Sequence, residues 1–325
     1  MYYVAILILG ILLNGSLVFS AEITTPDKLR IGYSSVVGAR IFLWAAHDAG
    51  HFARHGIQTE LVVVSGIQGI QALIAGDPPI FLGPTDTAVQ AAARGADVII
   101  LATAEPIPYK LIVQPNIKTI DDLRGKKIAI DRIGGTSYHL TLRMLEKLNV
   151  QSGEVELIPV AGGGPQRVAA VRSGALSGVV TTIAPFEEMK IPYHVLADAI
   201  EMGIKAIGNS FMTTKSFRDR NTVLIEKFIR ASIDARRWLK DPKNREATYK
   251  IFSRYLRIND PSALSLNYRL YVEPLQIFPY TNMDDLKANL SLLGEANSPL
   301  RSINPSTIVD NSFIQRAQQE ASPAK

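Results

Sequence analysis

From Leu29 onward, short runs of aliphatic and β-branched residues alternate with stretches whose apolar positions recur every three to four residues. Leu29–Tyr33, Gln58–Val64, Ile80–Gly83 and Val98–Ala102 read as strands. Leu61–Val64 is apolar without interruption, as a strand covered on both faces requires. Between them Ala39–His55, Ile67–Ala75 and Thr85–Arg94 read as helices, closed by Gly56, Gly76 and Gly95 at positions that favour a left-handed backbone. This βαβαβαβ order predicts a parallel sheet with helices on its faces.

The pattern then restarts. Lys110–Val113, Lys127–Asp131, Val155–Val160, Gly178–Thr182 and Tyr193–Leu196 read as strands. Thr119–Arg124, Thr136–Leu148, Pro165–Arg172 and Pro185–Lys190 read as helices or helical turns between them. The two halves echo one another: QALIAGDPPIFLGPTDTAV and VAAVRSGALSGVVTTIAPFEE share the order helix, glycine, strand, proline-containing loop, helix. After a strand at IGNSFMTTK the chain turns helical over Asn221–Leu239, Glu246–Leu256, Met283–Leu293 and Ser306–Gln319, punctuated by Asp241–Pro242 and Asp260–Pro261. The expected fold is therefore α/β with two lobes, each a mostly parallel sheet with flanking helices. A discontinuous large lobe spans 22–105 and 206–320, and a small lobe spans 106–205. Two crossovers join them near Thr103–Pro108 and Lys205–Ser210, and 321–325 form a loose tail.

The first 21 residues form an apolar, uncharged run interrupted by Asn14–Ser16, with Val18 and Ser20 in small-residue positions before Ala21. That pattern predicts a cleaved export signal and a periplasmic mature protein, with a retained membrane anchor as the alternative. Charged residues make up 20% of the chain and hydrophobic residues 47%, which places it among globular proteins with a substantial core. The formal charge of +5 is spread along the chain without a Lys/Arg block, so no nucleic acid is expected as partner and a small anionic ligand is mildly favoured. With no cysteine, disulfides, thiolate metal sites, Cys nucleophiles and a lipoprotein anchor are excluded.

In a doubly wound sheet, ligands collect beyond the carboxyl ends of the strands, where helix N-termini offer free N–H groups and about half a positive charge. Gly134, Gly135, Thr136 and Ser137 follow a strand and open a helix, and are the first candidate for an anion. Thr136 alternatively serves only as the helix cap. Facing it from the other lobe are Ser34 and Ser35 after the first strand, Gly66 after the second, and Thr85 and Asp86 after the third. Thr181 and Thr182 end the equivalent strand of the small lobe. A bare carboxylate at Asp86 would oppose an anion, whereas a helix-capping Asp86 would not. Arg40, Arg132 and Arg167 lie near these loops and are able to pair with an anionic ligand, though any one of them taken alone reads first as a solvated surface arginine. Tyr33, Tyr109, Tyr138 and Phe186 stand near the loops and are able to stack on a planar ligand, or simply to pack. His47, His51 and His55 share one helix face but lack the E-x-x-H company of a zinc site, so no metal or cofactor is expected. No nucleophile elbow, H-E-x-x-H or dinucleotide fingerprint is present, and the Gly162–Gly164 loop lacks the GK[ST] of a phosphate loop.

Several of these segments resemble a known family. AHDAGHFARHGIQTELVVVSG, ALIAGDPPIFLGPTDTAVQAAARGADVIIL and, most specifically, IKTIDDLRGKKIAIDRIGGTSYHLTLRMLEKLNV are similar to periplasmic substrate-binding proteins of the nitrate/sulfonate/taurine type, a group that also covers thiamine-pyrimidine-precursor binders. The resemblance covers roughly residues 25 to 240. It implies a type II periplasmic-binding-protein fold, a monomer that closes by a hinge on a small-molecule ligand, and an ABC transporter permease as partner. Pro79 and Ser177 stand where the family often carries Asp before a strand, so the resemblance does not specify the ligand. Two rivals share the fold: an enzyme acting on a thiamine or menaquinone precursor, and a sensory module reporting to a receptor kinase.

Overall fold

The computed structural model describes residues 25–64, 66–104, 107–161, 163–204, 208–293, 300 and 303–321. The expected export signal and residues 322–325 of the expected tail lie outside them. Ten strands fall into two five-stranded sheets. The strands are β1 (Asp27–Tyr33), β2 (Ile57–Val63), β3 (Ile80–Pro84), β4 (Val98–Thr103), β5 (Lys110–Val113), β6 (Lys127–Ile130), β7 (Glu156–Pro159), β8 (Gly178–Thr181), β9 (His194–Asp198) and β10 (Asn209–Thr214).

One sheet has the order β2-β1-β3-β10-β4, the other β7-β6-β8-β5-β9. In each, four strands run one way and the fourth in spatial order runs against its neighbours: β10 in the first sheet, β5 in the second. Those two strands carry the chain across between lobes, so each enters its sheet from the opposite direction. The sheets are thus two copies of one arrangement, as the sequence echo predicts. Both crossovers leave the carboxyl ends of the parallel strands, and that places these ends, and the loops that follow them, along a shared gap.

The first lobe is held by a large apolar cluster in which Phe211 packs edge-on against Phe42 and Phe228, and Trp44 stacks on Tyr255 at 4.4 Å. The helix expected over Ala39–His55 is broken: it runs as a 3₁₀ turn Gly38–Arg40 and helices Ile41–Asp48 and His51–Arg54, with Gly50 in the left-handed region between the last two. The last expected helix splits likewise into Pro305–Thr307 and Ser312–Ala321. Two helices the periodicity does not mark are Lys215–Arg220 and Pro261–Tyr271. The second starts where Asp260 accepts from the N–H groups of Ser262 and Ala263, with Pro261 in the first turn.

Phe81, fully buried on β3, lies in a slot formed by Gly32, Gly69 and Gly83; a Cβ at Gly69 or Gly83 would sit within 2.2 Å of its ring. Gly83→Ala is expected to destabilise the fold by overpacking, by about 1–3 kcal/mol. Urea denaturation checks this, as a lowered midpoint with an unchanged m-value.

The three histidines do not converge. His47 contacts Thr59, His51 contacts Arg54 and His55 pairs with Asp234. Among the described residues no group of His, Cys, Asp or Glu is placed to hold a metal. His51 is buried against Trp238, and its Nδ1 accepts from the Arg54 guanidinium at 2.7 Å. Burial, reinforced by Arg54, lowers its pKa from 6.5 to about 4. The unfolded chain therefore takes up a proton at this residue before the folded one does. Its contribution is intact above pH 6.5 and is lost as pH falls towards about 4. A His51→Phe variant should lose less stability than the wild type between pH 7 and pH 4.5, as chemical denaturation at both pH values would read.

Candidate functional site

Loop residues 34–40 rise from the carboxyl end of β1, and the 3₁₀ turn that closes this loop aims Arg40 inward. Arg40 is 2% exposed. Its Nη2 donates to Ser34 Oγ at 3.0 Å, Ser35 Oγ at 3.2 Å and Asn209 Oδ1 at 2.9 Å. Its Nε and Nη1 are buried without a partner. Among the described residues no carboxylate pairs with it; the charged or polar groups acting on it are the phenols of Tyr109, Tyr271 and Tyr33. Burial alone lowers its pKa to about 10, which leaves it a cation at any physiological pH. A buried cation with two idle nitrogens costs several kcal/mol unless something matches it.

Other groups converge from the second lobe. Arg167, in the first turn of the helix Gly164–Arg172, is 8% exposed, and its Nε is buried without a partner. Tyr109, just before β5, feels both Arg167 and Arg40, and burial pushes its hydroxyl up to about 12. Tyr271, at the end of the helix Pro261–Tyr271, shares a hydrogen bond of 3.1 Å with Thr182 across the gap. A small cavity lined by Phe42, Ala104, Ile107, Pro108, Asn209 and Tyr271 lies on the crossover side of Arg40.

The structure sorts the residues expected from sequence. Ser34 and Ser35 do face the gap, but as acceptors that orient Arg40. Thr85 is buried in a hydroxyl chain, Thr85–Ser210–Thr103–Thr281, that ties β10 and β4 together where the chain crosses over. Gly66 opens the helix Gly66–Ala75 with a positive φ of 48° and open space around it. Thr181 is buried beside the start of the Gly164–Arg172 helix.

The helix end at Gly134–Ser137 is already served by a carboxylate of the chain. Asp131 accepts from Ser137 Oγ at 2.8 Å and from the Tyr138 N–H at 3.4 Å, and a Cβ at Gly135 would lie 2.4 Å from one of its oxygens. Thr136, half-buried, makes no side-chain cap. Asp131 thus takes up part of the favourable field of this helix start.

Asp86 is 1% exposed and pairs with Arg132 of the other lobe at 2.8 Å. Burial raises its pKa against the opposing pull of Arg132. Beside it Gln90 donates to the carbonyl of Gly134 at 3.1 Å. Asn267 donates to Glu188 at 2.8 Å, and Lys190 lies 3.3 Å from Asp260. These contacts, with Thr182–Tyr271, span the gap at both rims. Phe186 and Tyr33 pack in the cores rather than over the gap. Asn209, Tyr271, Asn267 and Glu188 were not among the residues expected from sequence. Asn209 lies in the strand that returns from the other lobe, and the Asp260–Pro261 helix start was the one available signal for Tyr271 and Asn267.

The profile of the family described as NMT1/THI5 like matches residues 39–244. The chain belongs to the NMT1/THI5-like family. It is 28% identical over 192 residues to the taurine-binding periplasmic protein of Escherichia coli K12, a match covering 55% of this chain and 59% of that protein. It is also 28% identical to a putative binding protein of Brucella abortus, over 44% of this chain and 45% of that one. The chain thus spans about half the length of the curated relatives it matches, and these are binding proteins. Its fold is that of the alkanesulfonate-binding protein SsuA of Xanthomonas axonopodis pv. citri bound to MOPS (TM-score 0.70, 19% identity, covering 89% of this chain and 100% of that one). It is equally that of the nitrate-binding protein NrtA of Synechocystis PCC 6803 (TM-score 0.73, 13% identity, covering 92% and 90%). The desulfurization enzyme DSZB shares it too (TM-score 0.67, 16% identity, covering 91% and 100%), so this fold is found in binding proteins and in an enzyme. Among the described residues of this family member, no helix is long and apolar enough to cross a membrane.

Proposed function

We propose that this protein is the extracytoplasmic solute-binding component of an ABC importer and binds a small organic anion between its lobes. One observation carries the reading: Arg40 is buried at the gap, and among the described residues its Nε and Nη1 have no partner and no carboxylate pairs with it. Serine hydroxyls and an asparagine oxygen satisfy only one of its nitrogens. The remaining two present donors in a planar fork that suits an oxyanion. The periplasmic, ligand-binding character of the taurine-binding relative agrees with this reading, as does the apolar N-terminal run.

In operation, the ligand first meets the open lobes and pairs with Arg40. Groups from the second lobe, Tyr109 and Thr182 among them, then close over it, and ligand contacts to both lobes stabilise the closed form. A permease that recognises the closed shape takes up the ligand when the lobes reopen. Catalysis is less well served. The titratable groups nearest the gap are tied to partners: Asp86 to Arg132, Asp131 to Ser137 and Glu188 to Asn267. Among the described residues no free base or nucleophile stands beside Arg40.

A thermal-shift panel of sulfonates, carboxylates, phosphate esters, nitrate and uncharged pyrimidines on the purified protein tests this. At least one organic anion should raise Tm, since binding to the native state alone stabilises it. A panel in which only uncharged compounds do so would contradict the reading.

A further inference from the structure

The proposed function names an anion; the groups around the gap narrow its charge, and the following rests on that reading. Arg40 from the first lobe and Arg167 from the second are both more than nine-tenths buried, and each has buried guanidinium nitrogen without a partner. Neither forms an ion pair with a carboxylate among the described residues. The acidic groups around the gap are committed elsewhere. Asp86 pairs with Arg132, Asp131 with Ser137 and the start of its helix, and Glu188 accepts from Asn267. Tyr109 stands between them: the strand that follows it pairs through Lys110 with Thr181, which borders the start of the Arg167 helix, and its hydroxyl feels both guanidiniums as well as Asp131 and Asp86.

We infer that Arg40 and Arg167 clamp the ligand from opposite lobes and that the ligand is an organic dianion. Two like charges brought together on closure repel one another in a poorly hydrated gap. A monoanion leaves one of them unmatched, whereas a dianion neutralises both and turns their repulsion into a closing force. Arg167 also lies in the first turn of the helix Gly164–Arg172, where the helix field is positive. This sets the ligand class apart from nitrate or a zwitterion such as taurine. Dicarboxylates, sulfocarboxylates and phosphate monoesters fit.

Titration calorimetry with sulfoacetate, which carries a sulfonate and a carboxylate, against ethanesulfonate, which carries the sulfonate alone, tests the inference. The wild type should bind sulfoacetate at least about tenfold more tightly. Arg167→Met should weaken sulfoacetate by at least about tenfold and ethanesulfonate by clearly less, so that the two affinities converge, and Arg167→Lys should recover part of the difference. Circular dichroism establishes that each variant is folded. Equal wild-type affinities, or an Arg167→Met variant that weakens both probes alike, would overturn the inference and leave the proposed function standing. If neither probe binds and the anion panel also gives no shift, both are overturned.

Discussion

Replacing Arg40 with methionine is expected to weaken anion binding by about 2–5 kcal/mol while leaving the unliganded protein as stable as before, or more so. The two effects diverge for one reason. In the unliganded protein Arg40 is a desolvated charge with no counter-ion among the described residues, held by two serines and Asn209. Methionine fills a similar volume, removes that desolvation cost, and leaves three acceptors without a donor, a partial offset of the gain. With ligand present, the same change removes the main positive charge facing it. Thermal unfolding with and without the best anion of the panel separates the two. The expected result is an unliganded Tm at or above the wild-type value and no ligand-induced shift. Arg40→Lys should retain part of the shift, because the charge survives but the fork of donors does not. An Arg40→Met protein that binds as the wild type does would show that the anion sits elsewhere.

The second large effect is expected at the rim. Arg132→Ala leaves Asp86, 1% exposed, with its charge unmatched whenever the lobes are together. The protein can relieve this by opening, so the equilibrium should move towards the open form by about 1–3 kcal/mol. Arg132 is itself 30% exposed, and that places the expectation below the cost of breaking a fully buried pair. Small-angle scattering should give a larger radius of gyration for unliganded Arg132→Ala than for the wild type, and anion affinity should fall correspondingly. Adding Asp86→Asn removes the stranded charge and should restore much of both. If the double variant is as open as the single one, Asp86–Arg132 does not hold the lobes.

The strands, their assignment to two halves and the duplicated order were legible because alternation and apolar runs are local signals. The direction of β5 and β10 was not, since it follows from which lobe the chain is returning from. At the site, the loops were found but the roles were redistributed. Ser34 and Ser35 were marked for ligand contact and serve Arg40. Gly134–Ser137 has every local feature of an anion site, yet a carboxylate three residues upstream folds back over it. Nothing in the spacing of Asp131 distinguishes a turn that does this from one that leaves the helix start free. Arg40 and Arg167 read as surface residues because burial of a lone arginine is a tertiary outcome, set by Asn209 returning from the other lobe and by Tyr109 and Tyr271 closing over the gap. Tyr271 lies on a helix whose buried face includes Asn267, so its apolar period is interrupted.

All of this turns on where the negative charge of a bound ligand comes to rest. A crystal structure of the protein with its tightest-binding anion reads that position directly. An oxyanion group within hydrogen-bond reach of Nε or Nη1 of Arg40 is the predicted result. An anion held at the Gly134–Ser137 helix start, with those nitrogens still unpartnered, would contradict it.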